Sequence, residues 1–286
     1  MRWLGSAEAE QLCAANQQQA PATVRVARRK ASVARAQQAL RESGIDSHTG
    51  RYSPDALILA AGAPPALDID GYEQGFFQAQ DEAAQMVSLF AAPDRGARIL
   101  DACAAPGGKA CHLAEIADRG SVLAIDLHAR KAGAVAEAAR RLGLDNLEAR
   151  AADATLPIPD VPFESFDLVL LDAPCSGLGT LRRHPEVKLR RTPEDVDRLA
   201  QLQARLLAAA RRYVRPGGLL VHAVCTLTPE ECDEQVQRFL AASPQFRLDP
   251  PPPSFPPDCL EREFLRTLPH RTGTDGFFAA RLRRTA

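Results

Sequence analysis

Residues 101–109, Asp101-Ala102-Cys103-Ala104-Ala105-Pro106-Gly107-Gly108-Lys109, decide the fold of this chain. They follow a short apolar run at 98–102 and open a helical pattern, so they join a strand to a helix. Glycines there let the backbone approach a ligand at the helix N-terminus. The spacing is neither the G-x-G-x-x-G of dinucleotide enzymes nor that of a Walker phosphate loop. Working outward, further strand-like runs at 121–126, 147–152, 166–172 and 219–224 alternate with helical patterns, and a last one lies at 277–282. This alternation builds a parallel sheet covered by helices on both faces. The run at 166–172 is nearly all apolar, as a central strand buried on both sides requires. Thr192-Pro193 supplies an N-cap with proline at the first helical position, and Thr228-Pro229-Glu230-Glu231 reads as a capping box. Before the sheet, 21–92 suggests a small α+β subdomain, with strands at 23–26 and 56–60, a helix at 31–42 and a connecting helix. Residues 1–20 are polar and Gln/Ala-rich and read as a flexible tail or weak helix. The catalytic domain is then expected over 93–286, with the proline-rich stretch around 250–257 as a stiff surface loop.

Composition bounds the chemistry. A chain of 286 residues, 45% hydrophobic and 25% charged, is an ordinary globular protein, and a formal net charge of -1 gives no global attraction for nucleic acid. Seven cysteines form no C-x-x-C pair and no metal-ligand spacing, which reads as reduced thiols without a metal. No apolar run approaches the ~18 residues of a membrane span, and the acidic residues near the start do not suit a secretory signal. A cytoplasmic monomer is the expectation.

Two acidic residues at strand ends narrow the cofactor. Asp126 lies 17 residues beyond Lys109, where a carboxylate can accept from both hydroxyls of an unphosphorylated ribose, and Asp153 follows the next strand within reach of an adenine amino group. Either alone would read as a turn or helix-capping residue, but their repeated position favours a ligand. Ribose and adenine without phosphates describe S-adenosyl-L-methionine better than NAD. Two thiols complete the pattern, Cys175 in Asp172-Ala173-Pro174-Cys175-Ser176-Gly177 and Cys225 in Ala223-Val224-Cys225-Thr226. Cytosine C5 is too electron-poor to accept a methyl group directly; a thiolate added at C6 makes the ring an enamine that can. A second polar group then has work in releasing the product. Asp172 is placed to hold the amino and N3 edge of the base, and Lys109 to lower a thiol's pKa.

These residues resemble the bacterial Sun-type (Fmu) ribosomal RNA cytosine-5 methyltransferases, which share their catalytic domain with the eukaryotic nucleolar family of the same name. The resemblance runs from about Arg25 to Leu282. It rests on Gly75-Phe76-Phe77-Gln78-Ala79-Gln80-Asp81, the 103–109 loop, 172–177, Arg182-Arg183-His184-Pro185-Glu186-Val187-Lys188, 228–231 and Asp275-Gly276-Phe277-Phe278. It implies a Rossmann-like S-adenosylmethionine-dependent methyltransferase fold in which Cys103, Ala104, Ala105, Pro106, Gly107, Gly108, Lys109, Asp126, Asp153 and Asp172 line the cofactor site. It also implies that Cys225 is the nucleophile and that Cys175 assists product release. The Arg-Arg-His-Pro segment looks most like the subgroup acting on small-subunit ribosomal RNA. Relatives usually begin with a helical RNA-binding domain like the transcription factor NusB, for which this sequence has no room. Val224, Cys232 and Leu189 depart from the family pattern without removing a group the chemistry needs.

RNA contacts are expected from local patches: Arg182, Arg183, His184, Lys188, Arg190 and Arg191 after the Cys175 motif, and Arg25 with Arg28, Arg29 and Lys30 in the N-terminal subdomain. Because 31 of the 35 basic residues are arginine, a merely solvated face is an equal reading. The target should be an unpaired or flipped-out cytosine. Two other functions compete. A non-catalytic RNA-binding or ribosome-assembly factor would have no need for Cys175, Cys225, Asp172 and Lys109 together, and a DNA cytosine methyltransferase would use Cys175 as nucleophile.

Overall fold

A computed structural model describes residues 4–285; residues 1–3 of the expected tail and residue 286 of the expected catalytic domain lie outside it. The chain runs α1 (Ser6–Ala15), β1 (Thr23–Val26), α2 (Val33–Glu42), β2 (Ser47–Thr49), β3 (Ala56–Leu59), β4 (Phe77–Ala79) and α3 (Glu82–Ala91). It continues β5 (Arg98–Asp101), α4 (Gly108–Ile116), β6 (Ser121–Asp126), α5 (Ala129–Leu142), β7 (Leu147–Ala151), β8 (Phe166–Asp172), α6 (Val187–Arg190), α7 (Pro193–Ala210) and β9 (Val214–Val224). Last come α8 (Asp233–Ala241), β10 (Phe246–Leu248), β11 (Leu260–Glu261), β12 (Phe264–Thr267), α9 (Pro269–Thr272) and β13 (Phe277–Arg284).

Two sheets result, in the α/β arrangement expected. The small one, ordered β2-β3-β1-β4, is antiparallel, with α2 packed on it through Ala36 and Leu40. In the large sheet, ordered β11-β12-β13-β9-β8-β5-β6-β7, the strands from β7 to β9 are parallel, and β13 closes onto β9 antiparallel. Strand order reverses at β5, between β6 and β8, so a crevice opens at the carboxyl ends of these strands, where open sheets bind ligands. β8 has apolar neighbours on both faces: Leu168 and Leu170 pack into one core, Val169 and Leu171 into the other. Burying each such side chain contributes about 1.5–3 kcal/mol.

Two expectations change. Of the two readings of the N-terminal segment the weak helix holds and the flexible tail does not: α1 has Leu12 fully buried in a cluster with Leu4, Leu227 and Leu268, while Glu8 bonds His270 of α9 at 3.0 Å. Its anchoring had no signature in so weakly amphipathic a helix, because one leucine, Leu12, is enough to dock it. The second concerns Thr228 to Glu231. The Thr192 helix does carry a capping box, with Asp195, but α8 begins only at Asp233, behind Cys232, which makes no side-chain cap. Glu231 is instead turned inward and wholly buried.

Candidate active site

The cofactor edge is built locally. β5 ends at Asp101, and the chain crosses to the neighbouring strand, Ala104 N–H donating to Ile125 O at 2.9 Å, before α4 starts at Gly108. Gly107 has φ +105°, a region L side chains rarely adopt, and a Cβ there would press on the Val135 backbone at 3.3 Å. Asp126 Oδ1 accepts from His128 N–H at 3.1 Å. Asp153 Oδ1 accepts from Thr155 N–H at 2.8 Å and from its hydroxyl at 2.7 Å, and this donation holds its pKa below the usual value. Both aspartates thus also serve the turn role that either alone suggested. The loop covers Asp101, fully buried, whose carboxyl finds no hydrogen bond of full geometry among the described residues. Burial, reinforced by the nearby Asp172, pushes its pKa up to about 7. Burial also pushes the Cys103 thiol well up, leaving it inert beside its backbone's part in the loop.

The thiol edge is assembled across the sheet. β8 and β9 are parallel neighbours with Asp172 opposite Ala223, so the loops leaving them run side by side. Ala173 N–H donates to Ala223 O at 2.9 Å, and Gly179 N–H to Cys225 O at 3.0 Å. The expected pair meets: Cys175 Sγ lies 3.3 Å from Cys225 Sγ, and both residues are half-buried. Lys109 reaches over from α4, its Nζ 2.7 Å from Asp172 Oδ2 and 4.8 Å from the centre of the Phe277 ring. Burial opposes its charge, but Asp172 outweighs burial and raises the Lys109 pKa, so it stays protonated. The Cys175–Cys225 hydrogen bond, in which either sulfur can donate, lowers the Cys225 pKa against burial and Asp172, with help from the Lys109 charge; the same contact and burial raise that of Cys175. Lys109 places its positive charge where it acts on Cys225, which favours a thiolate there. A third loop seals the site, Gly276 N–H donating to Gly179 O at 2.8 Å. The approach is so close that a Cβ on Gly179 would fall 2.0 Å from Gly276 O.

Several expected RNA contacts are spent elsewhere. Arg25 is fully buried, pairing with Glu115 of α4 and donating to Gln80 at 2.9 Å, so it ties the small sheet to the catalytic domain rather than meeting RNA. Arg183 bonds Asp81 and Asp275, each at 2.7 Å, and Pro21 O at 3.0 Å. The Arg182 side chain is 5% exposed and donates to Gly273 O at 2.9 Å. Both are corrected from RNA ligands to braces, because buried Asp275 needs compensating charge; burial and the adjacent Asp81 still push its pKa up to about 6. His184, Lys188, Arg190 and Arg191 remain exposed, around a Leu189 that is 83% exposed. Sequence reading missed Asp81, Asp275 and the inward Glu231, although all three lie within motifs it quoted. Among the described residues no group of three His, Cys, Asp or Glu is placed to hold a metal ion, and no helix is long and apolar enough to cross a membrane.

Comparison with known proteins gives this geometry a family. A family model described as 16S rRNA methyltransferase RsmB/F matches residues 88–283, and one for the ferredoxin-like domain of RsmF/B-like methyltransferases matches residues 2–65. The chain is 38% identical over 268 residues to ribosomal RNA small subunit methyltransferase B of Cronobacter sakazakii, covering 94% of this chain and 61% of that protein. It therefore spans about three fifths of that curated relative. The crystal structure of PH0851 superposes with a TM-score of 0.93 at 29% identity, over 99% of this chain and 64% of that one. A methyltransferase homologue from Pyrococcus horikoshii does so with 0.83 at 26% identity, over 98% and 92%. With a match over most of its length and the corresponding N-terminal domain, the chain belongs to the 16S rRNA methyltransferase RsmB/F family.

Proposed function

We propose that the protein methylates C5 of a cytosine in RNA, with small-subunit ribosomal RNA as substrate, through a covalent Cys225 adduct. The observation that carries this reading is the 3.3 Å approach of Cys175 and Cys225 beside the Lys109–Asp172 ion pair. The cofactor is S-adenosylmethionine. The residues present fit it: Asp101, Asp126 and Asp172 make the crevice acidic, which suits a sulfonium and an ammonium and repels phosphates. Asp126 and Asp153 would hold its ribose and adenine, and the 103–109 backbone its amino-acid end. When bound, it supplies an electrophilic methyl group.

The chain's part is to make C5 able to accept that methyl. The Cys225 thiolate adds to C6, the C5–C6 double bond opens, and its electron pair moves onto C5. Asp172, held by Lys109 at 2.7 Å, would accept from the ring's amino group at the amino and N3 edge and so fix the base in place. After transfer, water takes the C5 proton, the electrons of that C–H bond restore the C5–C6 double bond, the C6–S bond breaks to return the Cys225 thiolate, and Cys175, 3.3 Å from the departing sulfur, assists by hydrogen-bonding to it. The exposed Lys188 and Arg190 supply phosphate contacts. Methyl transfer from labelled S-adenosylmethionine to small-subunit ribosomal RNA, other RNA and DNA of matching sequence tests the reading. Label on RNA as 5-methylcytosine is expected. Transfer to DNA alone, or no transfer to any of the three by folded protein that binds the cofactor, would overturn it.

A further inference from the structure

Glu231 is a carboxylate with no exposed surface, deep beneath the two thiol loops. Its Oε1 accepts from Ser176 N–H and Gln203 Nε2, each at 2.9 Å; its Oε2 accepts from the Ser176 hydroxyl at 2.5 Å and the Thr228 hydroxyl at 2.9 Å. Four donors converge on one acceptor-only group, which fixes the direction of every bond. The single Ser176 proton goes to Glu231, so at 2.7 Å the Thr226 hydroxyl must donate to Ser176 Oγ. Ser176 follows Cys175 and Thr226 follows Cys225, so this chain of hydrogen bonds clamps the two loops one residue beyond each thiol.

The two loops do not depend on the clamp equally. Cys225 continues directly from β9, which is flanked by β8 and β13. Cys175 sits two residues further from its strand, in a segment fastened by Gln203 to Pro174 O at 2.9 Å, by Glu231 to Ser176, and by Arg191 to Ser176 O at 3.1 Å. We infer that Glu231 is a positioning residue that holds Cys175 against Cys225, and that its loss separates the thiols by releasing the Cys175 loop while leaving Cys225 in place. The catalytic consequence rests on the function proposed above: addition by Cys225 survives, and release of the methylated RNA fails.

Glu231→Gln keeps the shape and replaces one acceptor oxygen by a donor that faces Ser176 Oγ or Thr228 Oγ1. Two measurements, on protein whose melting transition and cofactor affinity are checked, separate the geometry from the chemistry. A short bifunctional thiol reagent, with the bridged peptides mapped, reports the Cys175–Cys225 approach without RNA; bridging should slow by about tenfold or more, the worth of one charge-assisted hydrogen bond. With RNA and S-adenosylmethionine, Glu231→Gln should build up a denaturant-resistant protein–RNA adduct while turnover falls. General loosening would lower adduct and turnover together. Bridging at the wild-type rate in folded Glu231→Gln overturns the inference, as does an equal loss of adduct and turnover. If wild-type protein bridges but transfers no methyl group to RNA, the functional reading fails and the bridging comparison still decides the role of Glu231. Should Glu231→Gln not fold, Ser176→Ala and Thr228→Ala take its place and must slow bridging in the same direction.

Discussion

At the ends of β6 and β7, Asp126 and Asp153 are each held by a backbone N–H only two residues along the chain, whereas at the ends of β8 and β9 the site is joined by contacts spanning 50 residues (Cys175 to Cys225, Ser176 to Thr226) and 55 (Ser176 to Glu231). The cofactor side is a set of independent turns, each formed by its own residues. The thiol side exists only once β8 and β9 have paired and α7 and the 226–232 turn have closed behind them. Damage to the first should therefore stay local and additive, and damage to the second should spread.

Removing the proposed nucleophile tests the thiol side most severely. Cys225→Ala should lose methyl transfer by on the order of 10⁴-fold or more and form no protein–RNA adduct, whereas Cys175→Ala should methylate once and stall with RNA attached. A denaturing gel reads both, and the opposite pattern would assign the attack to Cys175.

Arg25 offers the next largest effect. Its pair with Glu115 spans 90 residues and leaves Arg25 no exposure and the Glu115 side chain 6%, so Arg25→Met should cost about 3–5 kcal/mol in denaturant unfolding, by leaving a largely buried carboxylate uncompensated. The salt dependence of RNA binding by the surviving folded fraction should not change. An altered salt slope at unchanged stability would return Arg25 to the RNA surface.

On the cofactor side, Asp126→Ala should weaken S-adenosylmethionine binding by roughly 1.5–3 kcal/mol, the worth of hydrogen bonds to a charged acceptor. Calorimetry should show this with the melting temperature nearly unmoved, since only a two-residue turn is lost. A large fall in stability would break the contrast between the two sides.

Exposed cations should have smaller effects. Lys188→Ala with Arg190→Ala should lower the slope of log affinity for RNA against log salt by about 1 to 2, leaving cofactor binding intact. Arg182 and Arg183 should instead destabilise the protein when truncated.

The smallest effect concerns Asp101. Its carboxyl is neutral at low pH and ionises only near pH 7, so its stabilising contribution is full below the ordinary carboxyl range and is lost as pH rises through about 7. A cationic ligand prefers the ionised form. S-adenosylmethionine affinity should therefore rise roughly three- to tenfold as pH climbs through that value. Asp101→Asn should flatten both trends, which unfolding and binding measured across pH 5.5–8.5 would check.

Whatever depends on near neighbours was legible in the sequence. The 101–109 loop, the strand-end aspartates, the apolar β8 run and the Thr192 cap could each be read within a window of about ten residues, because turn geometry, periodicity and capping are short-range physics. The two thiols were legible because each lies just past the C-terminal end of a strand, the edge where an open sheet places ligands. What only the tertiary structure decided was the fate of charged side chains. Arg25, Arg182, Arg183 and Glu231 look in sequence like solvated surface or helix caps. Each is instead held in the interior or braced by partners dozens of residues away: Glu115 at 90, Asp275 at 92, Asp81 at 102 and Ser176 at 55. A charge leaves water only where distant partners replace its hydration, and no local pattern records whether folding will bring them together.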